Sequence, residues 1–165
     1  MKWNRKFNYP TSTRALYNGK RLYDVNNEKL PSVTTILAAT KPQEEIDSLN
    51  RWREKVGHKQ ADIISREATE RGSSMHDYIE KFLLGKLNLD LLGDNTRERM
   101  MADQIIENGL RNRLQEIWGC ESTLYYPGKY AGAADCIGVY ENYQSLIDFK
   151  PVSYTHLTLP TTYHV

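Results

Sequence analysis

Residues 130–150 constrain the fold more than any other stretch. Two β-rich runs, residues 130–140 and 145–150, flank the polar turn Glu141-Asn142-Tyr143-Gln144, which predicts an antiparallel hairpin. Placing Tyr140 opposite Ser145 sets Val139 against Leu146, Ile137 against Asp148 and Asp135 against Lys150. Side chains alternate along a strand, so Asp135, Asp148 and Lys150 then share one face. Acidic groups at strand centres oppose β-propensity and, half buried, need partners or a metal. Carboxylate oxygens are hard ligands for Mg²⁺ or Mn²⁺, and a lysine beside them can orient a water or offset developing charge, a set suited to phosphodiester hydrolysis. An Asp–Lys pair across a hairpin equally describes a solvated salt bridge.

The preceding chain supplies helices. Residues 14–30 hold two short β-like runs split by Asn18-Gly19, a strong turn signal. Ser32 is a candidate N-cap for a short helix over residues 33–39. Residues 42–56 predict a helix with Ile46, Leu49, Trp52 and Val56 on one face, ended by Gly57. A second helix is expected over residues 59–70, with Ala61, Ile64 and Ala68 as its seam. Its sequel, residues 74–84, places His76, Ile79 and Leu83 on one face. Gly72 between them either marks a break or permits a close approach. Leu84-Gly85 ends this helix, and residues 86–93 connect to a long helix from Asn95 to about Trp118. Asn95 and Glu98 resemble a capping box, and Ile106, Leu110, Leu114 and Ile117 form the buried stripe. The first sheet strand is expected over residues 120–126, with Glu121 at its start and Pro127-Gly128 as the turn that follows.

Four features together carry a family resemblance. Asp135 followed by Ile147-Asp148-Phe149-Lys150 resembles the core of the PD-(D/E)XK nuclease superfamily. Arg71-Gly72-Ser73-Ser74-Met75-His76 resembles the Gly-x-x-x-His helix of its RecB-like branch. Leu30-Pro31-Ser32-Val33-Thr34-Thr35-Ile36-Leu37, with Trp52-Arg53 and Val56-Gly57, is similar to the group that contains the mitochondrial genome maintenance exonuclease and its phage and bacterial relatives. The resemblance implies a metal-dependent DNA exonuclease acting on single-stranded ends in replication, repair or recombination. An endonuclease on the same core and a non-catalytic nucleic-acid-binding module stand as alternatives. The implied metal ligands are His76, Asp135, Asp148 and the Phe149 carbonyl, for Mg²⁺ or Mn²⁺, with Lys150 completing the catalytic set. Ser32, Thr34, Thr35, Arg53 and Arg71 would contact DNA, and Glu121 falls where some members place an auxiliary acid.

The expected fold is α+β, a restriction-endonuclease-like core of a helix and a three-stranded antiparallel sheet. An N-terminal hairpin and helical region precede it, and the chain stops before the last helix and strand of that core. Residues 1–151 are read as one exonuclease domain. Residues 152–165, without a charged residue, resemble the translation of a sequencing adapter and are expected to be a non-native tail, which removes His156 and His164 from the ligand candidates. In a chain of 165 residues, two cysteines, Cys120 and Cys136, are too few for an iron–sulfur cluster and fit reduced thiols. A net charge of +1 neither requires nor excludes nucleic acid, because basic residues can be confined to one groove. No run is apolar enough to span a bilayer and no signal-peptide core follows the N-terminus. No membrane association is expected, and the expected location is the cytoplasm of a bacterial or phage-infected cell.

Overall fold

A computed structural model describes residues 1–18, 20–86, 96–151 and 161–164. The fold is α+β. Strand β1 (Lys2–Trp3) precedes a meander of β2 (Ser12–Tyr17), β3 (Lys20–Val25) and β4 (Glu28–Pro31), followed by helices α1 (Val33–Ala39), α2 (Gln43–Val56) and α3 (His58–Leu83). Helix α4 (Arg97–Gln104) runs into a π-helical segment, Ile105–Leu110, before β5 (Leu114–Tyr126), β6 (Tyr130–Tyr140), β7 (Tyr143–Asp148) and β8 (Thr161–His164). The meander forms one sheet, β2-β3-β4, and the other strands form a mixed sheet in the order β1-β5-β6-β7-β8. In that sheet β1 runs parallel to β5, whereas β6 and β7 are antiparallel.

The chain divides into two compact units, one of Met1–Tyr9, Glu70–Ser122 and Ala133–Val165, the other of Pro10–Thr69 and Thr123–Gly132. The first is built on a core of Met75, Ile79 and Leu83 from α3, Ala102 from α4, Ile106 and Leu110 from the π-helical segment, and Leu114, Ile117, Cys136, Tyr140, Ile147 and Phe149 from the sheet region. The second has a smaller core of Tyr23, Val25, Leu30 and Ala131, with Tyr125 packed against it.

Short polar turns determine how the strands pair. Asn26 and Asn27 have φ of 50° and 66°, and Val25 pairs with Glu28 across them. Glu141 and Asn142, at 48° and 70°, do the same for Tyr140 and Tyr143. Positive φ at both central residues gives the turn twist that matches antiparallel strands. Asn18, at φ 49°, occupies the corresponding place between Tyr17 and Lys20, while Gly19 lies outside the described residues.

Several expectations are corrected. The hairpin turn has two residues, not four, so Ile137 pairs with Leu146 and Cys136 with Ile147. The slip is two positions. A shift by an even number leaves every side chain on its expected face, so Asp135 and Asp148 remain on the same side of the ladder. The long helix does not reach Trp118: it ends at Leu110, Asn112 adopts φ 65°, and Leu114, Ile117 and Trp118 belong to β5. Burial along β5 is continuous from Ile117 to Gly119 instead of alternating, and such a break in period two produces three-residue apolar steps that mimic a helix. The cap of α4 is Thr96, whose side chain accepts from the Arg99 amide; Asn95 and the connection at 87–95 lie outside the described residues.

Helix α3 runs unbroken through Gly72, so the two expected helices are one. The anticipated seam of α2 contributes no fully buried residue, and Leu49 is 46% exposed. Strand β4 adds a third member to the expected N-terminal hairpin, and the Asn26-Asn27 turn is the sequence signal for it. At the other end, residues 161–164 pair with β7, Asp148 opposite Thr161. A Thr-rich segment has high β-propensity and an exposed strand edge accepts one readily. Residues 152–160 and 165 lie outside the described residues.

Candidate functional site

The site lies entirely in the first unit. On α3, residues Met75, Ile79 and Leu83 recur at four-residue steps and are fully buried. His76 stands at the border of that stripe, not within it, with its side chain 28% exposed. Burial of Met75 and Ile79 fixes the rotation of the helix and presents the imidazole to the end of the β6–β7 ladder. There its Nε2 lies 2.8 Å from the Phe149 carbonyl oxygen. The tautomer that donates Nε2–H to that carbonyl carries its lone pair on Nδ1.

Nδ1 faces two carboxylates. It is 3.6 Å from Asp135 Oδ2 and 4.0 Å from Glu121 Oε1. One ligand atom from each of His76, Glu121 and Asp135 can be chosen so that all lie within 4.8 Å of one another. Asp135 sits on β6 between the buried Ala134 and Cys136, so alternation turns it to the opposite face. Its Oδ2 accepts a hydrogen bond from the Phe149 amide at 2.7 Å. Phe149 therefore bridges the site with both backbone groups, its N–H to Asp135 and its carbonyl to His76. Burial raises the Asp135 carboxyl above the ordinary carboxylate range; the Phe149 amide and His76 oppose the rise, and Asp148 adds to it.

Glu121 enters by a different route. It lies inside β5, not at a strand start, and has φ 46°. Left-handed backbone at a non-glycine residue within a strand marks a bulge, which re-aims the side chain. Asp148 and Lys150 form an ion pair with Nζ 2.8 Å from Oδ2, and Lys150 is 69% exposed. Among the described residues, Asp148 is not part of the converging group. It acts on Asp135 through its field instead. Cys120 and Cys136 are free, and burial pushes the Cys120 thiol up to about 12 and raises Cys136 as well. Raised in this way, both thiols favour the protonated form.

Of the residues expected to meet nucleic acid, Arg71 is half buried on α3. Ser32, Thr34, Thr35 and Arg53 belong to the second unit. Ser32 is 2% exposed, and its hydroxyl accepts from the Thr35 amide at 3.0 Å while bonding the Thr34 and Thr35 hydroxyls. Its role there is that of an N-cap. The Arg53 guanidinium is paired with Asp62. No family model matches the chain, and no curated protein matches it. No helix among the described residues is long and apolar enough to cross a membrane.

Proposed function

We propose that the chain is a divalent-metal-dependent deoxyribonuclease of the PD-(D/E)XK type, hydrolysing phosphodiester bonds from single-stranded DNA ends during replication, repair or recombination. The observation that carries this reading is the convergence of His76, Glu121 and Asp135 within 4.8 Å, beside the Asp148-Phe149-Lys150 strand end. The donor set fits a divalent cation. Two carboxylates offer hard oxygens, and His76 has one ring nitrogen oriented by a backbone carbonyl while the other faces the carboxylates, the usual arrangement of a ligating imidazole. His76, Glu121 and Asp135 would hold the ion, with Asp148 and the Phe149 carbonyl next to it. An imidazole among the ligands favours Mn²⁺ over Mg²⁺. A cation bound there would supply Lewis-acid polarisation of a phosphoryl oxygen and would lower the pKa of a coordinated water.

The remaining work falls to the protein's own groups. Lys150, exposed and tethered by Asp148, can follow a phosphate oxygen and offset the charge that develops on it. The Phe149 amide, donating to Asp135 Oδ2, holds that carboxylate in one orientation.

The Asp148–Lys150 pair favours one rival, a nucleic-acid-binding module whose acidic cluster is a salt-bridged hairpin. End-labelled linear and circular single-stranded DNA, incubated with Mg²⁺ or Mn²⁺, separates the readings. The expected result is digestion of the linear substrate alone, reduced about 100-fold or more in Asp148→Ala. Cleavage of circles keeps the chemistry and replaces exonuclease by endonuclease. A folded, metal-bound chain that cuts neither substrate supports the binding module.

A further inference from the structure

We propose that Tyr9 is a positioning residue for Glu121: its ring, packed on Gly119, holds the β5 bulge that turns the Glu121 carboxylate toward His76 and Asp135. The inference deepens the metal-centre reading and rests on it for its second arm. The first residues of the chain run as a strap along β5. Lys2 and Trp3 pair in parallel with Glu116 and Ile117. The Asn4 amide then donates to the Ile117 carbonyl at 2.9 Å, and the Asn4 side chain donates to Glu116 Oε2 at 3.0 Å. Lys6 lies 4.0 Å from the centre of the Trp118 ring, and Phe7 meets the same ring edge-on at 5.7 Å. Tyr9 is the next step and meets Gly119. The strap is also tied to the helix that bears His76, because the Trp3 indole donates to the Leu83 carbonyl at 2.8 Å.

Gly119 has no room for a side chain. A Cβ there would lie 2.7 Å from Tyr9 Cε2 and would overlap Ser122 Oγ. The tyrosine ring and the Ser122 hydroxyl thus both occupy the space that a Gly119 side chain would need, two residues before Glu121, and the Ser122 hydroxyl donates back to the Cys120 carbonyl at 3.4 Å. Left-handed backbone at a non-glycine residue inside a strand, away from a turn, needs support from its surroundings. Here the ring and the serine are those surroundings. Among the described residues the buried Tyr9 hydroxyl has no hydrogen-bond partner, so packing of the ring, not its polar tip, keeps Tyr9 in place.

The test uses Tyr9→Phe, Tyr9→Ala, Glu121→Gln and the double variant of the last two. Two readouts are the Glu121 backbone and Cβ resonances without metal, and Mn²⁺ affinity by calorimetry. Tyr9→Phe should leave both unchanged and melt no lower than the parent, since it removes only an unpaired hydroxyl. Tyr9→Ala should move Glu121 out of the left-handed shift range and weaken Mn²⁺ binding about 10-fold or more. In the Glu121→Gln background it should change the Mn²⁺ affinity no further. Should Tyr9→Ala not fold, Tyr9→Leu carries the same readouts with the strap's apolar contact kept. A folded variant with unmoved Glu121 resonances, or equal weakening in both backgrounds, overturns the proposal. If the parent binds no Mn²⁺, the metal reading fails by itself, and the resonances still decide the role of Tyr9.

Discussion

Burial raises the Asp135 carboxyl above its ordinary 3.8, so its ionised form at neutral pH is held against a solvation cost. The folded chain then binds this proton more tightly than the unfolded chain. Stability from this group falls as pH climbs from about 3.8 through the raised value, and stays low above it. Asp135→Asn should therefore melt higher than the parent in EDTA at pH 7, with the gap closing as pH is lowered; an amide oxygen still accepts from the Phe149 amide. Thermal melts across pH read this directly, and a lower melting temperature at pH 7 would contradict it. Gly138 poses the opposite case. A Cβ there would overlap the Glu116 carbonyl oxygen, a backbone atom that cannot yield without moving β5. Gly138→Ala should cost about 3 kcal/mol or more, visible in a denaturant titration.

Helix α3 is the element that links fold to site. Gly72 within it faces Pro151, whose Cγ would be 3.6 Å from an added Cβ, an ordinary contact. Sterics inside the described structure therefore do not demand glycine. Gly72→Ala should stabilise the helix by about 1 kcal/mol and raise the melting temperature by roughly 2–4 °C. A gain in stability together with a loss of DNA cleavage would assign Gly72 to close approach of the nucleic acid. At this scale much was legible in the sequence. Asn18-Gly19 marked the first hairpin, Ser32 marked a helix start, and the alternation around Asp135 and Asp148 held despite the two-residue slip. The second half of β5 was legible as a strand over residues 120–126, but its first half was not, because its break in alternation places the buried Leu114 and Ile117 three residues apart and imitates helical spacing. The same misreading moved Glu121 to a strand start and hid the bulge that aims it.

Across the whole molecule, local patterns account for the shared face of Asp135 and Asp148, which alternation along β6 and β7 sets. They do not account for the contacts of Tyr9 with Gly119 or of Trp3 with Leu83, which join residues far apart in sequence with no shared pattern. The central claim is that His76, Glu121 and Asp135 form a divalent-cation site. Calorimetric titration of Mn²⁺ into the chain, its His76→Ala variant and its Asp135→Ala variant tests it most directly. The account predicts saturable binding in the parent, lost or weakened about 100-fold in both variants while they remain folded. Folded parent protein that takes up no Mn²⁺, or variants that bind it as the parent does, would contradict the claim.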